Sequence, residues 1–337
     1  MSDNKNGAGS LGRGLLAGTL ASAALAGFNR LSTEASEGPR PVLGGELRRY
    51  PWRLGTIAYH VGGPEEGEPL LFVHGVHAAA SNFEFRKQFD FFADQGYRVY
   101  APDLLGFGLS DHPEMTYTDE VYVALIADFV RDVIQGQPVV IASTLSCSFV
   151  IAAAARYPER FGSLVLIAPV GLSQLRSRLP LVSDLFYSFV KSRLVGEGFF
   201  NLLTSTPSLR YYLKQQGYLD PANVTDELVN YHYDVSHQPN ARFAPGAFVS
   251  GYLNRDISGE WKQLTNPILL VWGYKAKQVP VQKGPEFLRL NPRAVSVAYD
   301  ANLLPHDEQA DKFNEGTLDW LKGRRKEGLS SGRRTGG

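Results

Sequence analysis

Cysteine is nearly missing from this chain: Cys147 stands alone, so no intramolecular disulfide can form and the redox compartment stays undecided. Excess charge is missing too. Lys and Arg number 34 against 34 Asp and Glu, a formal net charge of zero, and so no global field draws the protein to nucleic acid. No uncharged run is long enough for a confident membrane span. The longest candidate, Gly14 to Phe28, would form a helix about 22 Å long at ~1.5 Å per residue, short of the roughly 30 Å hydrocarbon layer. Nucleotide and metal signatures are absent as well. Gly106-x-Gly108 lacks the third glycine of a dinucleotide fingerprint, no Walker A sequence occurs, and the histidines lack zinc-ligand spacing. The sequence therefore predicts no cofactor and no metal.

What is present is ordinary globular composition, 44% apolar and 20% charged over 337 residues, enough for one large core with an inserted subdomain. Residues 1–45 read as an apolar N-terminal helix followed by a Pro/Gly/Glu-rich linker. Three roles stay open for the helix at 14–28: signal peptide, membrane-interface anchor, or a helix docked on the protein itself. From residue 46 to 171 apolar strand patterns alternate with helical ones. Strands are predicted at Trp52 to Val61, Pro69 to Val73, Tyr97 to Ala101, Val139 to Ser143 and Ser163 to Ala168. Helices are predicted around Phe83 to Gly96, Thr118 to Ile134 and Leu145 to Arg156. Such alternation argues a mostly parallel sheet with helices on both faces.

From 172 to 264 the alternation stops. This stretch is rich in Leu, Phe and Tyr, broken by prolines, and is expected to form a helical cap of several short helices. Strand and helix signals resume at 265–322, with strands at Pro267 to Trp272 and Ala294 to Ala298 and a last helix from about Glu308 to Leu321. Residues 323–337 form a basic tail among Gly and Ser that reads as flexible. With residues 14–28 it offers a route to peripheral membrane contact.

The centre of the chain is Val139-Val140-Ile141-Ala142-Ser143-Thr144-Leu145-Ser146-Cys147, a strand that breaks into small residues and opens an alanine-rich helix. Taken with Phe72-Val73-His74-Gly75, Pro102-Asp103-Leu104-Leu105-Gly106-Phe107-Gly108-Leu109-Ser110, Trp272-Gly273 and Leu304-Pro305-His306-Asp307-Glu308, it resembles the α/β-hydrolase superfamily. Within that superfamily it is similar to the branch of capped esterases, haloperoxidases and C–C hydrolases. The resemblance spans residues 47 to 322 and implies an α/β-hydrolase fold. Thr144 then stands where the nucleophile is mounted, on a sharp strand-to-helix turn. Small residues two before and two after it, Ala142 and Ser146, fit that turn, although a branched side chain in such a conformation is strained. Ser146 is the other candidate nucleophile.

The resemblance also implies an acid just after Trp272-Gly273 and a histidine after the last strand. The acid position falls on Ala276 and the base position on Leu303, with His306 three residues further on as the surrogate. A hydroxyl nucleophile needs an aligned base that is itself oriented by a carboxylate. All three positions carry other residues. What survives is the anion-binding scaffold, the backbone N–H groups of Val76 and Leu145, with His77 and Ser146 beside the pocket. His74 and Asp103 are expected to brace loops. The expectation is a non-hydrolytic binding protein for a small apolar or carboxylate-bearing molecule; the alternative is a divergent, esterase-like hydrolase using Thr144 or Ser146 with a non-standard base.

Overall fold

The computed structural model describes residues 22–172 and 180–332. Eight strands build a single sheet: β1 (Glu46–Trp52), β2 (Gly55–Gly62), β3 (Glu68–Val73), β4 (Tyr97–Pro102), β5 (Val139–Ser143), β6 (Leu164–Ile167), β7 (Ile268–Gly273) and β8 (Ala294–Tyr299). Their order is β1-β2-β4-β3-β5-β6-β7-β8, antiparallel at β1/β2 and β2/β4 and parallel from there to β8. The predicted mostly parallel sheet is thus present. β1 is an addition, since its exposed, charge-bearing residues and Pro51 carry no apolar run. As an edge strand it tolerates both.

The interior strands need no alternation because helices cover both faces. Every residue of β5, β6 and β7 is buried. α3 (Asp119–Phe129) packs on α4 (Ser146–Arg156), whose Ala152, Ala153 and Ala154 permit close approach. α2 (Phe89–Asp94), α11 (Gly284–Leu290), α12 (Pro305–Glu308) and α13 (Ala310–Gly332) complete the layers. The helix predicted at Phe83 to Gly96 is in two pieces, a short 3₁₀ turn at Asn82–Phe85 and then α2.

The segment after β6 folds as α5 (Pro180–Lys191), α6 (Val195–Leu203), α7 (Thr206–Tyr212), α8 (Asp226–Ser236), α9 (Phe243–Val249) and α10 (Ser258–Gln263). α5 to α9 lie over the sheet's C-terminal edge as a cap. α10 instead packs against α4, and its buried Trp261 donates from Nε1 to the Phe287 carbonyl, so it belongs to the core layer.

At the N-terminus a helix, α1, runs over 22–34, beyond the predicted end at Phe28; the rest of the 14–28 stretch lies outside the described residues. α1 docks on the cap. Asn29 donates to the Leu194 carbonyl, Tyr233 donates to the Ser32 carbonyl, and Gly198 leaves room for Leu25. No described helix is long and apolar enough to cross a membrane. α13 runs past Leu321 to Gly332, so residues 323–332 of the expected flexible tail continue the helix. Lys, Arg and Glu are good helix formers, which is the local reason. Arg333 and Arg334 lie outside the described residues.

Candidate functional site

The site lies where β5 turns into α4 beneath the cap. Thr144 adopts φ 49°, the left-handed conformation that branched residues avoid. Its N–H is tied to the Ile167 carbonyl at 2.8 Å, and its carbonyl accepts from Cys147, so the turn is pinned at both ends. Opposite it stands Gly75. A Cβ there would lie 2.6 Å from Thr144 Oγ1, so only glycine lets the two loops approach so closely.

The N–H groups of Val76 and Leu145 find no hydrogen-bond partner among the described residues, and both residues line the cavity beside Thr144. These are the two main-chain donors that the sequence singles out. Ser146 is removed from this chemistry. It is fully buried and its hydroxyl donates to the His74 carbonyl at 2.6 Å, a link between the elbow and the loop after β3. His74 in turn donates from Nδ1 to the Gly75 carbonyl and accepts the Leu104 N–H at Nε2. Asp103 braces its loop by accepting from Leu109 and Asn82. Cys147 is buried, its thiol against the Ala142 and Ile167 carbonyls, and burial pushes its pKa well up, which makes it a packing residue.

The turns that carry the acid and base positions are held together. Lys275 donates its N–H to the Ala301 carbonyl at 3.0 Å, and Gly273 sits so close to the Asn302 carbonyl that any Cβ would collide with it. Ala276 is buried and does not line the cavity. Leu303 lines it, presenting a branched alkyl group. Lys275 and Lys277 are exposed to solvent.

Glu84, Arg86, Tyr218 and His232 line the cavity without having been singled out in the sequence. Glu84, in the 3₁₀ turn after β3, turns its carboxylate into the cavity wall beside Thr144. Oε2 accepts the Gly75 N–H at 2.7 Å, and Oε1 lies 3.1 Å from His306 Nε2. Burial alone would raise its pKa, but His306, the Ser143 hydroxyl and the Gly75 N–H outweigh that and hold it at about 2. The sequence signal was slight: a charge flanked by Phe83 and Phe85, which when buried needs a partner, but followed at once by Arg86 and Lys87. His306, the surrogate base, therefore faces Glu84. It is fully buried, packed against Phe85 and Phe313.

Next to it Asp307 accepts both Nη2 contacts of Arg86 at 2.9 Å, pairs with Lys87 at 2.7 Å and accepts the Tyr218 hydroxyl from the cap. Burial opposes ionisation here as well, and the two cations overcome it, holding the carboxyl at about 2. On the cap side of the cavity His77 and His232 stack, with ring centroids 5.5 Å apart. Burial, with the neighbouring imidazole, lowers His77 to about 3; burial lowers His232 to about 4. His77 thus lines the cavity. No group of three or more His, Cys, Asp or Glu that could hold a metal occurs among the described residues.

This arrangement can be compared with known proteins. 2-(Acetamidomethylene)succinate hydrolase of Mesorhizobium japonicum is 26% identical over 247 residues, 71% of this chain and 82% of that protein. Non-heme chloroperoxidase of Streptomyces lividans is 26% identical over 259 residues, 74% of this chain and 89% of its own length. Among solved structures, a putative lipase from Acinetobacter baumannii has a TM-score of 0.68 at 18% identity, covering 91% of this chain and 97% of that one, a likeness of fold. The family model described as the alpha/beta hydrolase family matches residues 70–315, most of the chain, and this protein belongs to that family.

Proposed function

We propose that this protein binds a small carbonyl compound in the capped pocket without turning it over by the Ser-His-Asp route. One observation carries the reading. The ionisable acids and histidines lining the cavity at Thr144 are Glu84, Asp307, His77 and His232, and each is held as a weaker base than its type ordinarily is. A general base works best with a pKa near the operating pH. Glu84 and Asp307 at about 2, His77 at about 3 and His232 at about 4 are all poor acceptors for the Thr144 proton. Ala276 and Leu303 supply no acid or base from the usual positions.

The binding machinery is intact. The unpaired N–H groups of Val76 and Leu145 suit a carbonyl oxygen, and the walls supplied by Leu303, Leu213 and Phe248 suit an apolar body. Between a neutral carbonyl and a carboxylate, the ionised Glu84 beside Thr144 favours the neutral group, because a second negative charge there would be repelled. The test is incubation with a fluorophosphonate probe and a panel of p-nitrophenyl esters, for the native protein and Thr144→Ala. Absence of labelling, with identical background rates, is expected. Labelling at the elbow, or turnover lost in Thr144→Ala, overturns the reading.

A second reading, a divergent hydrolase, is favoured by the closeness of Thr144 and Glu84. Thr144 Oγ1 and Glu84 Oε2 lie 2.6 and 3.4 Å from the same point beside Gly75, and Glu84 is backed by His306. The relatives named above as a hydrolase and a chloroperoxidase are in keeping with it. It requires that His306→Ala abolish an activity while the protein stays folded.

A further inference from the structure

The cavity at Thr144, 470 Å³, has a neighbour inside the cap. A second cavity of 670 Å³ lies among α5, α6, α7 and α9, walled by Phe186, Val190, Phe199, Leu209 and Pro245. Both cavities are bounded by His77, Ala79, Tyr212, Leu213, His232 and Phe248, so the two adjoin and these residues form the boundary, or neck, between them. At the neck the His77 and His232 rings stack nearly parallel, 12° between planes. Both imidazoles are neutral at pH 7, so a hydrocarbon passing them meets aromatic faces and no charge.

The far chamber opens outward past Leu203, Tyr211 and Val249, which are 52%, 70% and 67% exposed. The combined space is polar at one end only. At Thr144 it offers two N–H donors and a carboxylate; beyond the neck its walls are almost wholly apolar. A compact molecule would fill the first chamber and leave the larger, apolar one to water, which has few partners there.

We propose that the ligand is a single-chain amphiphile, with an uncharged carbonyl group seated at Thr144 and an aliphatic chain running past His77 and His232 into the cap chamber. The proposal rests on the carbonyl-binding reading above and adds the chain to it. Apolar burial then sets the affinity. Each methylene that enters the cap chamber tightens binding by roughly three- to fourfold.

Isothermal titration of the full chain with 2-hexanone, 2-decanone and 2-tetradecanone tests this, with the double variant Leu203→Glu, Val249→Glu alongside. The substituted side chains are exposed, so the fold tolerates them, and a thermal melt checks that it does. Affinity should climb with chain length in the native protein, and the climb should be flatter in the variant. Equal affinity for all three ketones, or an unchanged slope in the variant, overturns the cap-chamber assignment while leaving carbonyl binding intact. Failure of even 2-hexanone to bind overturns both. Ester turnover dependent on Thr144 would remove only the non-hydrolytic reading, and the chain-length slope would still decide this one.

Discussion

Glu84 Oε1 lies 3.1 Å from His306 Nε2, and the other oxygen of the same carboxylate receives the Gly75 N–H. His306 is fully buried and its partner nearly so. Glu84 lines the cavity at Thr144 and His306 backs it, so one contact holds the 3₁₀ turn after β3 against α12.

Replacing Glu84 by Gln should therefore have two effects. The buried carboxylate that accepts the Gly75 N–H and lies against His306 is lost, and a drop of about 1–3 kcal/mol in unfolding free energy is expected by urea denaturation. The neutral pocket should also lose its preference for ketones over carboxylates. Titration with decanoate and 2-decanone reads that preference; an unaltered ratio would show that Glu84 does not set it.

Thr144 bears the strain of φ 49°. Thr144→Gly removes the penalty on the left-handed conformation, whereas Thr144→Ala keeps it and loses the same hydroxyl. Gly should be the more stable of the two by about 1 kcal/mol, the reverse of their order in a helix. Equal melting temperatures would mean that the turn relaxes when the side chain is shortened.

The contact of Asp307 with Arg86, Lys87 and Tyr218 joins the core to the cap, and Glu308 adds a bond from the Leu219 N–H at 2.6 Å. Asp307→Asn should cost about 3 kcal/mol, since Arg86 loses its buried counter-charge. Tyr218→Phe should cost about 1 kcal/mol. Hydrogen exchange should show the difference between these variants and the native protein concentrated in residues 213–224, the part of the cap that Tyr218 anchors. A change spread evenly over the sheet would argue that no local lock exists.

The histidine pair gives stability a pH dependence with a definite sign. His77 and His232 have folded pKa values of about 3 and 4, below the ordinary value of 6.5, so the unfolded chain takes up their protons first. The stability from keeping them neutral is complete above pH 6.5 and drains as pH falls toward 4. Asp103, which burial raises to about 7, works in the opposite direction over this range. The comparison that isolates the pair is the native protein against His77→Gln, His232→Gln, in which Asp103 is common to both. The native melting temperature should fall more steeply between pH 6.5 and 4. Parallel curves would mean that the two rings are solvated enough to titrate normally.

Much of this was decided by the sequence alone. The apolar runs of β3, β5, β6 and β7, each bounded by turn residues, are legible because a strand buried on both faces must be apolar throughout. The elbow is legible because a tight strand-to-helix turn admits only small neighbours, and Ala142 and Ser146 supply them. Positions 276 and 303 come only from the resemblance to the family, placed relative to Trp272-Gly273 and His306.

Tertiary structure alone decided which ionisable groups meet. Glu84 and His306 are far apart in the chain, as are His77 and His232, and no local periodicity records that they pair. Whether a carboxyl is held at about 2, or an imidazole at about 3, depends on burial and on partners brought in by other segments. The same holds for Ser146, whose hydroxyl is satisfied by the His74 carbonyl only because β3 and β5 are neighbours in the sheet. Chain order fixes where a nucleophile would be mounted. The groups packed around Thr144 fix how weakly basic its surroundings are, because desolvation and charge act through space.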